Sequence, residues 1–522
     1  MSSPPRNGLL HRWATVFTGA AIISVVTAHV RFVLQDVRLP QDLGLYYRSM
    51  PDLYNALGGD QPWRAAWDAL LTSGGWYNLL LSLLFKVFGR SPVVMQSIDI
   101  CWVLAVLLLV AGCARHLGGA LSGLIAVLLA GSFRILVIEA RIAWIHIPEL
   151  TMVLVALYAW VRDPTLQHRG TAVRMGVFGV LAMMIRPSGI VWVATMVPMV
   201  AERLRRPEER TRAGLLLMAW GVGFLLALRG IAPYLMAKSV ARERYVEALP
   251  SLLEQVGGNL GIVAGAVAVL GALACIIQHR RRESLLLGCW IAATLGMFWV
   301  FRAGMNNFPG YGAALAILAG WGLARWYRVG TAAALAAFLL YQVPQWLPAD
   351  RPSERYRRTL KALRVPFQPT PENYYRPHRG VGSPEVIGLL DASCPSTKEP
   401  CDILVDQGLF KAFGEDPSGQ LERFVARLDH VRVWELTWPW RNLVKARPVA
   451  LAHFRCGRRD LGWRERFPGS LDNLFSAIQR YGLEAAHEIP WTHDCTLVWM
   501  TPDGELSHPI APRTSGGGHP AR

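Results

Sequence analysis

EARIAWIHIPEL (139–150) decides how the rest of the chain reads. It places Glu139, Arg141, His146 and Glu149 at the junction of two apolar runs, 118–138 and 145–161. An unpaired charge is expensive to bury there, and ionisable groups at the edge of a membrane span are functional candidates by default. The stretch reads as a connection between two spans and the start of the second, and its charges need a partner or a task.

Composition supports spans. Of 522 residues, 17% are charged and 52% hydrophobic, whereas a soluble chain carries about 25% charged residues. The formal net charge of +17 comes from clusters such as RLRRPEERTR (203–212) and HRRRE (279–283), which sit between apolar segments as cytoplasmic loops do. No nucleic-acid-binding motif accompanies them, which excludes nucleic acid as the partner class. Arg6, His11 and Arg12 precede the apolar stretch Trp13 to Val26. A signal peptide shares that pattern, but the apolar segments that follow make it an uncleaved first span.

A span needs roughly 20 apolar residues, and on that basis the chain holds about eleven candidates. They lie near 13–34, 97–114, 118–138, 145–161, 172–186, 188–201, 213–233, 259–278, 284–301, 309–326 and 330–347. Alternating loops then put nearly every basic cluster on one side, the cytoplasm, together with the N-terminus. The connection 35–96, residues 139–146, the loop 234–258 and RAGMNNFPG (302–310) share the outer face. An odd number of spans sends the C-terminal part outside as well.

Within the first outer connection, AAWDALLTSGGWYNLLLSLLFKVFG (65–89) is broken at Gly74 and Gly75 and reads as interface helices anchored by Trp67, Trp76 and Tyr77; one more span is the alternative. From about Asp350 the composition changes. EVIGLLD (385–391), CDILVDQ (401–407), HVRVWEL (430–436), RPVALAHF (447–454) and CTLVWM (495–500) read as strands, with helical patterns at 419–428 and 470–482. The organisation expected is a transmembrane domain over 1–348, an extracytoplasmic α/β domain over 349–506 and a disordered tail over 507–522. No internal repeat stands out.

Cys101, Cys113, Cys275 and Cys289 lie in apolar segments and read as packing residues. Cys394, Cys401, Cys456 and Cys495 lie in the outer part, where an even number suits disulfides. Cys394 and Cys401 close the short loop CPSTKEPC; Cys456 and Cys495 then make the second pair. No paired C-x-x-C spacing supports a zinc site.

Acids and arginines collect on the outer face: Asp36, Asp42 and Asp52 in the first connection, then Arg141, Glu149, Arg186 and Arg302. Transfer of a group from a lipid phosphate calls for such a set. Arginine holds a phosphate with two parallel hydrogen bonds and stabilises the charge it gains on leaving. A carboxylate takes the proton of an acceptor hydroxyl.

SGGWYNLLLSLLFKVFGRSPVVMQ (73–96), the span ending at CARHLGG (113–119) and the one ending at EAR (139–141) resemble the N-terminal half of the GT-C glycosyltransferases. The nearest groups are the protein O-mannosyltransferases and the aminoarabinose and galacturonose transferases of bacterial lipopolysaccharide. The similarity runs from about Trp13 to Pro198 and more weakly to Leu347. It implies a polyprenyl-phosphate sugar donor, an extracytoplasmic acceptor and a multi-pass place in the cell membrane, the inner membrane of a bacterium.

PQDLGLYY (40–47) looks like the family's acidic first-loop motif, which makes Asp42 the base or acceptor-positioning carboxylate, with Tyr46 and Tyr47 after it at the substrate. Leu43 stands where a second acid is usual, so no divalent metal is supported. Ser73, Gly74 and Gly75 replace the family's His-Pro-Pro. Arg141 is kept in the second outer loop, while His146 occupies the usual Asp position and Glu149 follows Pro148; both are candidate catalytic groups. In FRAGMNNFPGYGAAL (301–315), Arg302 matches the basic position that contacts the donor phosphate. IRPSG (185–189) resembles a Lys-Pro-x-Gly turn, so Arg186 is a further lipid contact.

Each of these residues has a plainer reading. Asp42 could cap a helix after Pro40, His146 could be a structural hydrogen-bonded residue, and Glu149 could pair with Arg141 or another arginine. Arg302 and Arg186 could snorkel to headgroups. The function expected is a membrane glycosyltransferase using a polyprenyl-phosphate sugar. The competing classes are a transporter or flippase of lipid-linked sugars, and a degenerate family member that only binds them.

Overall fold

The structure is a computed structural model and describes residues 8–35, 50–59, 62–71, 74–137, 145–186, 188–245, 252–278, 282–301, 309–346, 358, 362, 383–394, 401–405, 431–435, 448–456, 469–492 and 495–506. They divide into two compact units, the first formed within 1–40 and 63–374 and the second within 41–62 and 375–522.

The first unit is helical. Its elements are α1 (Gly8–Gln35) and, after α2 (Met50–Gly58) of the second unit, α3 (Trp63–Leu70), α4 (Gly75–Phe88), α5 (Pro92–Gly118), α6 (Ala120–Ala130), the single turn α7 (Arg134–Val137), α8 (His146–Arg162) and α9 (Arg169–Ile185). There follow α10 (Ser188–Glu202), α11 (Pro207–Tyr245), α12 (Leu252–Leu260), α13 (Ile262–Gln278), α14 (Arg282–Phe301), α15 (Gly310–Leu323) and α16 (Tyr327–Trp346). The segments expected to span are largely helical, but 118–138 is divided between α6 and α7 by a turn at 131–133, and 259–278 starts at the end of α12. Among the described residues, 3 helices are long and apolar enough to cross a membrane by length and composition: His11–Arg31, Val93–Gly118 and Pro207–Leu228. One expectation needs correction. The outer loop placed at 234–258 is helical at both ends, because α11 runs on to Tyr245 and α12 begins at Leu252.

Local chemistry sets the helix boundaries. Ser91 caps α5, its Oγ accepting from Val94 N at 3.2 Å with Pro92 in the first turn, a pairing suited to a helix start. The break foreseen in 65–89 separates α3 from α4. Gly74 there has φ 82°, a conformation that glycine adopts without strain, and a Cβ on Gly75 would overlap the carbonyls of Ala69 and Leu70. Asp163 organises the α8–α9 loop. Its carboxylate accepts from Gln167 N at 3.0 Å, His168 N at 2.9 Å and the Thr165 hydroxyl at 3.2 Å. Arg212 of α11 donates to the carbonyls of Leu166 and Gln167 in the same loop.

At the centre lies α15, buried at every position. Its small residues let neighbouring backbones approach closely, which is how helices associate where apolar side chains gain little from leaving lipid. A Cβ on Gly320 would sit 2.5 Å from the carbonyl oxygen of Ser122 on α6, and one on Gly322 would overlap the Gly271 carbonyl on α13. Gln342 of α16 donates to the Gly131 carbonyl after α6 at 2.7 Å.

The second unit contains β1 (Cys401–Val405), β2 (Val431–Glu435), β3 (Pro448–Cys456), β4 (Glu484–Thr492) and β5 (Cys495–Thr501), in the order β2-β1-β3-β5-β4. β1 runs parallel to β2 and β3, and β5 runs antiparallel to β3 and β4. With them are α2, α17 (Ser383–Ser393) and α18 (Gly469–Tyr481). The sheet therefore groups with a helix of the first connection. Two element assignments are corrected. EVIGLLD lies in helix α17 rather than in a strand, and the strand β4 was not expected at all. A disulfide joins Cys394, after α17, to Cys401 at the start of β1, with Cα atoms 6.0 Å apart. Cys456 and Cys495 are register partners of β3 and β5; their side chains lie outside the described part. The helical pattern at 419–428 and the tail from 507 also lie outside it.

Candidate functional site

The site forms where the connections of the first unit meet. α8 begins at His146, and Glu149 stands in its first turn, where a carboxylate is favoured by the helix dipole. His146 and Glu149 are three residues apart and so share a helix face. Each is 1% exposed. Between α9 and α10 the chain is extended at Arg186, with φ −153° and ψ 142°. That conformation suits a residue preceding proline. The Arg186 guanidinium reaches Glu149, with Nη1 3.5 Å from Oε2.

Neighbouring elements seal the pair. Ser188 and the Trp192 indole flank the Glu149 carboxylate. Among the described residues, Glu149 Oε1 and Ser188 Oγ have no partner of hydrogen-bond geometry. Trp192 packs on Trp290 of α14 with ring centroids 5.6 Å apart. The Trp192 ring also lies 2.9 Å from where a Cβ on Gly310 would stand, at the start of α15. Two residues on, Ile135 lies 3.1 Å from the equivalent point on Gly312, so α7 closes on the same end of α15. Gly74 N donates to the Ile185 carbonyl at 2.9 Å, beside Arg186.

The ends of three connections thus converge on the Arg186–Glu149 pair: Gly74 before α4, α7 ahead of 138–144, and Pro309–Gly310 after 302–308. Removing two charges from water is repaid only by close pairing and further hydrogen bonds. Ser188 and Trp192 stand beside the Glu149 carboxylate to supply them.

His146, Glu149 and Arg186 are therefore brought to one locus. Glu149 pairs with Arg186, which is 8% exposed. Asp42, Tyr46, Tyr47, Arg141 and Arg302 lie outside the described residues. No group of three or more metal-ligating side chains occurs among the described residues.

Sequence reasoning passed over Asp99. It is 0% exposed on α5, one turn from Gln96 at 1%, while Asn78 and Ser82 of α4 are also sealed at 0%. The signal was available: an acid within an otherwise apolar run is a functional candidate on the same argument that selected Glu149.

No family model matches the chain, and no curated protein sequence matches it. Solved structures do. ArnT from Cupriavidus metallidurans bound to undecaprenyl phosphate superposes with TM-score 0.52 at 14% identity, over 95% of this chain and 99% of that one. The Archaeoglobus fulgidus oligosaccharyltransferase tethered with an acceptor peptide gives TM-score 0.47 at 12% identity, over 91% of this chain and 72% of that one. The arabinosyltransferase EmbB from Mycobacterium smegmatis gives 0.38 at 15%, over 88% and 40%. The chain has the fold of the GT-C glycosyltransferases.

Proposed function

We propose that this protein is a membrane glycosyltransferase that moves a sugar from a polyprenyl-phosphate carrier to an acceptor outside the cytoplasm. The observation that carries the reading is the convergence of three connections on the buried Arg186–Glu149 pair. Undecaprenyl phosphate bound to ArnT supports the carrier class.

In this reading the acceptor hydroxyl oxygen forms a bond to the sugar's anomeric carbon as the bond from that carbon to the phosphate oxygen breaks. The proton passes to Asp42, and the electron pair leaves with the phosphate. Arg141 and Arg302 hold the departing phosphate, whose charge rises in the transition state. Arg186, fixed by Glu149, adds a cation to that pocket. His146 shapes the donor side, and Tyr46 and Tyr47 line the substrate. Glu149 is thereby a counter-ion that positions Arg186, rather than the base. The segments matched to α1, α5–α11 and α13–α16 cross the membrane about eleven times, which leaves the N-terminus cytoplasmic and the sheet outside.

The test uses purified protein, a radiolabelled polyprenyl-phosphate sugar and an acceptor pool of envelope lipids, glycans and proteins. Replacing Asp42 by Asn is expected to lower transfer by about a hundredfold or more, within the range of general-base contributions, with donor binding kept. Transfer unchanged in Asp42→Asn overturns the assignment of the base.

A further inference from the structure

The second unit holds a charge cluster that the site above does not use. Arg432 of β2 and Asp402 of β1 are register partners, with Arg432 Nε 2.9 Å from Asp402 Oδ1. The same oxygen accepts from the Trp434 indole N–H at 2.9 Å. Arg432 and Trp434 are two residues apart and so share one face of the strand. The other arm of the guanidinium leaves the sheet: Arg432 Nη1 lies 3.4 Å from Asp52 Oδ2, in the first turn of α2, 380 positions away in the chain.

α2 has 9 residues, too few to hold a helix alone in water, so its order depends on what it docks against. Met50, Leu53 and Ala56 are buried, and these apolar contacts do not specify which way round a short helix sits. The ion pair does. β2 is an edge strand, and one arginine bridges its neighbour strand to the helix. Burial pushes the Asp52 carboxyl above its ordinary range, Arg432 draws it down and Asp402 pushes it up. Without Arg432, an ionised Asp52 would face Asp402 unopposed.

We propose that Arg432 is a positioning residue for the first connection: by holding Asp52 against the sheet, it fixes the end of the segment that carries Asp42. This rests on the reading of Asp42 as the acceptor carboxylate.

Hydrogen exchange on the full chain tests it beside the transfer assay. In Arg432→Ala, amides of 50–58 are expected to exchange about tenfold faster, the loss of one charge-assisted contact. Transfer falls in kcat with the donor KM unchanged, and Arg432→Lys recovers part of both. Adding Asp52→Asn to Arg432→Ala loosens α2 little further, because both changes remove the same contact. Asp52→Ala leaves the Asp402–Arg432 pair in place, so α2 loosens while β1 and β2 stay protected. Unchanged exchange of α2 in Arg432→Ala overturns the proposal, as does equal loosening of α2 and the sheet in Asp52→Ala. Full transfer by Asp42→Asn would instead remove the catalytic reading and leave the exchange result to decide the clamp.

Discussion

Arg186 and Glu149, 37 positions apart, form an ion pair at 3.5 Å with side-chain exposures of 9% and 2%. The pair joins the turn between α9 and α10 to the first turn of α8. Each partner is the reason the other can be buried, and the predictions for the helical unit start from that dependence.

Breaking a buried pair by removing one partner costs about 3–5 kcal/mol, more than the pair contributes as a whole. Glu149→Gln and Arg186→Gln are each expected to lower thermal stability in detergent, and the double variant to lose less than the sum. A double-mutant cycle measures this. Strictly additive losses would mean that the two side chains do not act together.

Close approach around α15 gives a second prediction. Gly322→Ala would force the Gly271 backbone away, and overpacking of this kind costs about 1–3 kcal/mol. Gly19→Ala is the control, since a Cβ there meets nothing within 4 Å. The melting temperature should fall in the first variant and hold or rise in the second.

The α8–α9 loop should respond to acid. Burial works to raise the Asp163 carboxyl, but the N–H groups of His168 and Gln167 and the hydroxyls of Thr171 and Thr165 outweigh it and hold the group below its ordinary range. Its ionised form therefore stabilises the fold. That contribution is complete above the ordinary carboxylate range, near pH 4, and disappears as pH falls through the lowered folded value. Unfolding followed as a function of pH should show a shallower acid loss in Asp163→Asn.

In the second unit, the Cys394–Cys401 disulfide closes a short loop. Chain entropy assigns such a loop about 2.5 kcal/mol. Cys394→Ser should lower the unfolding temperature of that unit, read by exchange in β1, while α15 keeps its protection.

The helices were legible because a span demands a long apolar run, although the run 118–138 is interrupted by a turn at 131–133 that its apolar side chains do not reveal. EVIGLLD was misread because seven apolar-rich residues satisfy a strand and a helix equally. β4 was missed because EAAHEIPWT carries Glu484, Glu488 and Pro490; an edge strand tolerates these, and the register shifts near Pro490 as a missing N–H requires. Within the site, residue types revealed that Glu149 needed a cation but not that Arg186 would supply it. The Asp52–Arg432 contact was beyond reach for the same reason, because only the fold brings those positions together. Asp99 could have been found by consistent use of the rule that selected Glu149.

The central claim is that a sugar–phosphate bond breaks at this site. The most direct measurement follows a doubly labelled polyprenyl-phosphate sugar in proteoliposomes, with the envelope acceptor pool on the outer side. The account predicts that the sugar label moves to acceptor while the polyprenyl phosphate is released in equal amount, and that Asp42→Asn abolishes both. Passage of the intact lipid-linked sugar from one leaflet to the other, with no cleavage, would contradict it.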